Sequence, residues 1–406
     1  MTNRPDRRFA IRPLRDFLHT EAIGGVLLVV AAAVALLWAN LPGRETYHEV
    51  WSTVWSIGAG GHRLEWDLHH WVNEALMTLF FLVVGLEIKR ELTTGHLSQK
   101  SDAVLPALAA LGGMAFPALI FVAIVDAPHR DAWGIPMATD IALAVGVVSL
   151  LGSRVPRGLR VFLLALAIVD DIGAVIVIAV FYGSGTQFGW LAAAVGIVGL
   201  AALLVRLRFH WLWVYGILLI VGWYFLVKAG VHPTLMGVAF GLLAPAVPLG
   251  ARRRGPDGPI TVVDWLEHRL HGWVSYAVVP LFALANAGVV IGADPLRSAV
   301  SSRLGLGIAL GLIAGKAVGI TLVTLAAVRI GIGRLPAGTS VRTLFGVSLI
   351  SGIGFTVSLF VAELAVTSRE DVGTAKLAVL LASLVAAVLG VLVLRRAQPS
   401  VAAPEL

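Results

Sequence analysis

The run Ala165-Leu166-Ala167-Ile168-Val169-Asp170-Asp171-Ile172-Gly173-Ala174-Val175 sets two adjacent carboxylates in the middle of an apolar stretch that extends from about Leu159 to Tyr182. At ~1.5 Å of rise per residue, such a stretch is long enough to cross a bilayer as a helix. An aspartate at the centre of a membrane helix costs roughly 3 kcal/mol, so two in a row point to a cavity, an ion or a cationic partner. Neighbours on a helix lie ~100° apart, so Asp170 and Asp171 cannot readily serve the same partner. The plainer alternative is a pair of protonated carboxyls that only tie helices together.

The rest of the chain is consistent with a membrane setting. Of 406 residues, 58% are hydrophobic and 14% charged, and the mean hydropathy of +0.88 excludes an ordinary soluble enzyme. Apolar runs fall near 22–39, 68–85, 103–125, 135–151, 159–182, 188–205, 211–227, 233–249, 273–291, 305–328, 343–365 and 376–394. They predict an all-α polytopic membrane protein of about twelve transmembrane helices. The chain reads as one integral membrane domain, 1–406, with a basic tail over 1–20 (Arg4, Arg7, Arg8, Arg12, Arg15), an outer loop over 44–67 and a second tail over 397–406. Most Lys and Arg fall on the side of the termini, which places both termini in the cytoplasm. The pI of about 10.1 reflects these topology signals, spread in small groups, and not a nucleic-acid surface. With no cysteine, disulfides and thiolate chemistry are excluded, and a bound cation must use oxygen or nitrogen ligands.

The outer loop carries Trp51, Val54 and Trp55, then Gly58-Ala59-Gly60-Gly61. It reads as a β-hairpin on the outer face whose edges could pair with a second copy; a short interfacial helix is the alternative. The adjacent His69 and His70 point apart on a helix and suit an interfacial position better than a metal site.

Two spans are interrupted. Pro136 and Thr139, just before Asp140, make a regular helix over 135–151 unfavourable and leave backbone carbonyls to be satisfied. Unwound backbone beside a carboxylate is a cation site in outline, though Asp140 could equally be an ordinary helix N-cap. Ser351-Gly352-Ile353-Gly354-Phe355-Thr356 breaks the eleventh run. The breaks occupy the middle members of spans 3–5 and spans 10–12, triplets of opposite orientation, a pattern that marks a transporter's midplane site. Lys316 lies as deep in its span as Asp170 does, so the two can form an ion pair. Where span 2 ends and span 9 begins, Glu87 and Arg90, and His268 and His271, stand three residues apart, and each pair is expected to share a helix face. Histidines beside acids titrate near neutrality, as a pH sensor requires; a solvated charged loop is the alternative.

Over nearly its whole length the sequence resembles the NhaA-type sodium/proton antiporters. The likeness rests on 80–92 (Phe-Phe-Leu-Val-Val-Gly-Leu-Glu-Ile-Lys-Arg-Glu-Leu), 135–140, 165–173, Lys228-Ala229-Gly230-Val231-His232, 266–273, Pro280-Leu281-Phe282-Ala283-Leu284-Ala285-Asn286-Ala287-Gly288, Gly315-Lys316 and Gly352-Ile353-Gly354-Phe355-Thr356. It implies that Asp171 is the main ligand for Na⁺ or Li⁺ and carries the proton, that Asp170 pairs with Lys316, and that Asp140 and Thr139 line a crossing of the discontinuous spans 4 and 11. It implies that Glu87, Arg90, Glu267, His268 and His271 form a pH-sensing cytoplasmic region and that His232 modulates it from the other side. It further implies electrogenic, pH-regulated antiport by alternating access, a homodimer joined through the hairpin, the bacterial inner membrane, and no cofactor beyond the transported Na⁺, Li⁺ and H⁺. Gly272, where the family commonly has proline, and Asn73-Glu74-Ala75, where Asn-Asp-Gly is usual, depart from the pattern. Two rivals remain at this level. An intramembrane aspartyl protease could use Asp140 with Asp171, and a cation channel would conduct without a pH gradient.

Overall fold

A computed structural model describes residues 11–58, 63–95, 98, 100–183, 185–209, 211–247, 254–255, 258–259 and 261–397. The outermost tail arginines Arg4, Arg7 and Arg8, the tip of the hairpin turn and Arg252-Arg253 lie outside them. Helix α1 (Ile11–Asn40) leads through α2 (Arg44–Trp51) to strands β1 (Val54–Ile57) and β2 (Leu64–Asp67). The strands pair antiparallel with Trp55 opposite Trp66. The outer loop therefore forms the expected hairpin, which a short helix ending at Trp51 precedes. A helix over Leu68–Thr93 follows, made of α3 (Leu68–Trp71), a π turn and α4 (Met77–Thr93).

Next come α5 (Lys100–Ile124), a 3-10 segment (Ala127–Met137), α6 (Ile141–Leu150), α7 (Arg157–Phe181), α8 (Phe188–Arg206), α9 (Leu212–Ala229) and α10 (Thr234–Leu243). Strands β3 (Arg254–Gly255) and β4 (Gly258–Pro259) form a second small sheet. Helix α11 (Val262–Trp273) continues through a π turn into α12 (Val279–Asn286). Then follow α13 (Ala293–Ser301), α14 (Arg303–Leu310) joined by a π turn to α15 (Lys316–Arg329), α16 (Val341–Ile350), α17 (Phe355–Ala365) and α18 (Arg369–Arg395).

Among the described residues, eight helices are long and apolar enough to cross a membrane, or ten if each of two bent pairs counts as one span. This is fewer than the hydropathy runs predict. The eighth run stops at Leu243 because Pro245 disfavours helix just before it. The ninth shares one helical course with α11, and His271, Gly272, Ser275, Tyr276, Pro280 and Asn286 dilute its apolar residues.

The helices pack as two groups. In one, α4 lies on α10 and α11, and α8 and α9 pack together beside α10; in the other, α5 lies on α15 and α7, and α18 on α14, α16 and α17. Helix α1 packs along both α12 of the first group and α6 of the second. The α4–α10 contact is close because Gly237 and Gly241, four apart on α10, face backbone. A Cβ at Gly237 would lie 2.2 Å from the Thr78 carbonyl oxygen, and one at Gly241 2.5 Å from that of Leu82. Small residues at this spacing let membrane helices approach backbone to backbone. Gly237→Leu is therefore expected to force the pair apart and cost about 1–3 kcal/mol or more, seen as a lower thermal midpoint in detergent. Gly196→Leu on α8, where a side chain would meet open space, should leave the midpoint unchanged.

Candidate cation site

The two breaks meet. The 3-10 segment and α6 are bent by 47° and α16 and α17 by 49°, with extended backbone at Ala138 and Asp140 in the first break. The Asp140 N–H donates to the Ile353 carbonyl at 2.7 Å, and the Ser358 hydroxyl to that of Ile135 at 2.7 Å. Thr139 donates to the Ser351 carbonyl at 2.9 Å. Carbonyls freed by one break are thus satisfied by the other, as buried backbone demands.

Asp140 is both an N-cap and part of the broken site. One carboxylate oxygen accepts the Leu143 N–H of α6 at 3.0 Å. The other accepts the Thr356 N–H at 3.0 Å and its hydroxyl at 2.6 Å. One buried carboxylate therefore serves the positive ends of two helices. Thr356 was not among the residues singled out from sequence, although its place just past the Gly-Ile-Gly break mirrors that of Asp140 past the other.

The π turn over Gly311–Gly315 ends at Lys316, whose ammonium donates to Asp170 at 2.5 Å with both side chains fully buried. The Thr139 hydroxyl, its single hydrogen shared between this site and the Ser351 carbonyl, lies 2.8 Å from the same Asp170 oxygen, while among the described residues the second Asp170 oxygen is buried without a hydrogen-bond partner. Asp171, one position on, faces elsewhere. It lines a cavity of about 50 Å³ together with Thr139, Asp140, Thr356, Glu87 and His271, room for a few waters. Among the described residues, no hydrogen bond or ion pair ties up its carboxylate. The cavity follows the seam between the helix groups. Phe80, Val83, Ser275 and Val279 form one wall, and Ile141, Asp171 and Val357 belong to the other.

Beside the cavity, charged groups pair between helices. Arg90 on α4 reaches Glu267 on α11 at 2.5 Å, and His271 reaches Glu87 at 3.2 Å. Glu267 and His271, four apart, share the buried face of α11, whereas His268 is exposed on its outer side. The acceptor atoms of Glu87, Glu267 and His271 lie within 4.8 Å of one another. With Arg90 seated on Glu267, this is a charge cluster before it is a metal site. Burial pushes the Glu267 carboxyl above its ordinary range, with Arg90 pulling against it. His232 lies apart from this cluster, its Nε2 2.7 Å from the Tyr182 carbonyl and its Nδ1 3.9 Å from Glu74. Burial lowers its pKa.

The chain is similar to known proteins along most of its length. The family model described as Na⁺/H⁺ antiporter 1 matches residues 15–394. A protein of Sorangium cellulosum named Na⁺/H⁺ antiporter NhaA 2 is 47% identical over 97% of this chain and 93% of its own. One of Acidovorax sp. named Na⁺/H⁺ antiporter NhaA is 46% identical over 95% and 94%. One of Serratia proteamaculans with the same name is 43% identical over 96% and 99%.

Removing one partner of a buried ion pair strands the other, a loss of about 3–5 kcal/mol, whereas removing both charges costs far less. Lys316→Met should therefore lower the thermal midpoint sharply, and Asp170→Asn/Lys316→Met should recover most of the loss in the same assay.

Proposed function

Since this chain belongs to the Na⁺/H⁺ antiporter family, we propose that it exchanges Na⁺ for H⁺ by letting the two cations compete for the Asp171 carboxylate. The observation that carries this is the free Asp171 carboxylate on a cavity shared with the oxygens of Thr139, Asp140 and Thr356. A small hard cation needs several oxygen ligands, and a bare carboxylate in a buried site is costly. Asp171 is therefore occupied either by a proton or by the metal ion, and binding one expels the other. Li⁺ asks for the same oxygens.

Asp170 is held by Lys316 and Thr139, so it takes the role of a fixed partner. If Na⁺ entering the site releases a second proton from this pair, the exchange carries net charge, and voltage drives it at ~2.3 kcal/mol per charge per 100 mV. Both Asp140 oxygens are occupied by helix ends, which leaves no shared-proton dyad with Asp171. The family's members are secondary transporters and not enzymes, and with eight or more apolar helices this one is a multi-pass membrane protein.

Glu87 and His271 line the cavity near the end of α4 (Met77–Thr93). In our reading this is the cytoplasmic side of the bacterial inner membrane, the hairpin lies outside, both termini are cytoplasmic, and spans 3–5 and 10–12 are inverted repeats. The two helix groups then rock about their seam to expose Asp171 to each side in turn. A second copy adds to the hairpin edge to form the dimer.

The cluster of Glu87, Arg90, Glu267 and His271 governs entry according to pH, with His268 at its outer edge and His232 adjusting the response from the hairpin side. Loss of the Glu267 charge leaves fewer anions to hold the remaining protons, so the cluster titrates at lower pH. Glu267→Gln should move the pH profile of exchange toward acid by up to about one unit, measured by internal pH in proteoliposomes. In acid-loaded liposomes, Na⁺ should dissipate the gradient with wild-type protein and fail to do so with Asp171→Asn. An undiminished response in that variant, or proton flux without Na⁺, would overturn the competition mechanism.

A further inference from the structure

At the hairpin end of the seam, away from the cavity, lies a second buried ionic cluster that the exchange mechanism does not use. Lys376 on α18 and Glu363 on α17 form an ion pair within one helix group. Both also reach across to the other group. The Lys376 ammonium donates to the Asn286 side-chain oxygen on α12 at 3.2 Å, and His69 on α3 lies 3.6 Å from Glu363. Asn286 is held in place by Asn73, whose side-chain oxygen accepts from it at 2.7 Å, and by a 3.1 Å contact between its oxygen and His69.

Lys376 and Asn286 are 7% and 1% exposed, so water supplies little of what these groups need. Between this cluster and the cavity lies an aromatic layer. Phe360 of α17 packs against Phe81 of α4 at 5.5 Å and against Phe282 of α12 at 6.3 Å. Along the seam the order is thus open cavity, aromatic plug, ionic bridge.

We propose that Glu363 and Lys376 are positioning residues for the exchange, forming with His69 and Asn286 a bridge that holds the seam shut at the hairpin face while the cavity is open at the other. This rests on the alternating-access reading above. The bridge suits a reversible closure. When the seam parts at this face, the Lys376–Glu363 pair stays intact within its own group, and water replaces the contacts to Asn286 and His69. Parting therefore strands no unpaired charge in an apolar medium, the outcome that would make a buried ionic contact hard to break.

Sequence reading passed over the cluster. The apolar run 376–394 puts Lys376 at its edge, but α18 begins at Arg369 with Glu370 and Asp371 in its first turn, which draws Lys376 two turns inward. Glu363 sits inside the eleventh run without comment. Lys316 is thus not alone as a buried lysine within a span.

The chain has no cysteine, so Val357→Cys, on the cavity wall, is a single reporter for a membrane-impermeant thiol reagent added from one side. With the bridge intact, labelling from the hairpin side should be slow and from the other side fast. Glu363→Gln and Lys376→Met should each raise hairpin-side labelling at least about fivefold. In flux assays the apparent KM for Na⁺ should rise from the cavity side and fall from the hairpin side, a split that general structural damage does not produce. The charge-swapped Glu363→Lys/Lys376→Glu should return both readouts toward wild type. If a single variant does not fold, His69→Phe, which removes only the part-exposed arm of the bridge, should shift labelling in the same direction. Unchanged labelling and unchanged KM values in the bridge variants would overturn the proposal. Absence of Na⁺-driven exchange in the wild type would instead strike the exchange reading, while the labelling arms, which need no transport, still decide whether the bridge closes the seam.

Discussion

The Asp140 carboxylate is the constraint on which the rest of the molecule depends. Two helical courses are broken in the buried interior, and each break leaves N–H groups that must find acceptors. One carboxylate supplies acceptors to both, through Leu143 of α6 and Thr356 of α17. Its negative charge is set against two positive helix ends at once, which is the arrangement the macrodipoles favour. In return the breaks are pinned to each other, and their remaining carbonyls pair with Thr139 and Ser358. Without that junction neither bend would persist, and the space beside Asp171 would fill with helix.

The consequence is a division of labour between two adjacent aspartates. Both sit on α7, one residue apart, and the helix turns them toward different surroundings. Asp170 meets Lys316 and Thr139 and is neutralised by protein. Asp171 meets the cavity, which leaves its charge to be neutralised by whatever enters. The π turn before Lys316 adds one residue to that helical course, re-aiming the side chains that follow it. Such turns are frequent at functional sites for this reason, and a second one, over Val274–Val278, shapes the opposite wall around Ser275.

How much of this was legible in the sequence follows from what each feature costs. Charges in an apolar run are expensive enough to be conspicuous, so the Asp170–Asp171 site and its Lys316 partner could be read directly, as could the Pro136 and Gly352–Gly354 interruptions. Features set by packing were not. The apolar run begins only at 135, so the 3-10 course over Ala127–Met137, which packs on α17, was not legible before its start. The spacing of His268 and His271 suggested a shared face, but the buried face of α11 is fixed by its contact with α4, which selects Glu267 and His271 instead. The shortness of α10 was signalled by Pro245, which a hydropathy window averages away.

The same reasoning explains why two ionic clusters at opposite ends of one seam do different work. At one end, Glu87 and His271 line the cavity, with Arg90 and Glu267 paired beside them. At the hairpin end, Phe81, Phe282 and Phe360 separate the cluster from the cavity, and its lysine is paired within its own helix group. A site that must empty to either side needs contacts at both ends that can form and part without stranding a charge. An apolar closure alone would resist wetting but would set no particular register between the groups. A hydrogen-bonded one fixes that register, because Lys376 meets the Asn286 oxygen and His69 meets Glu363 in only one alignment of the two walls.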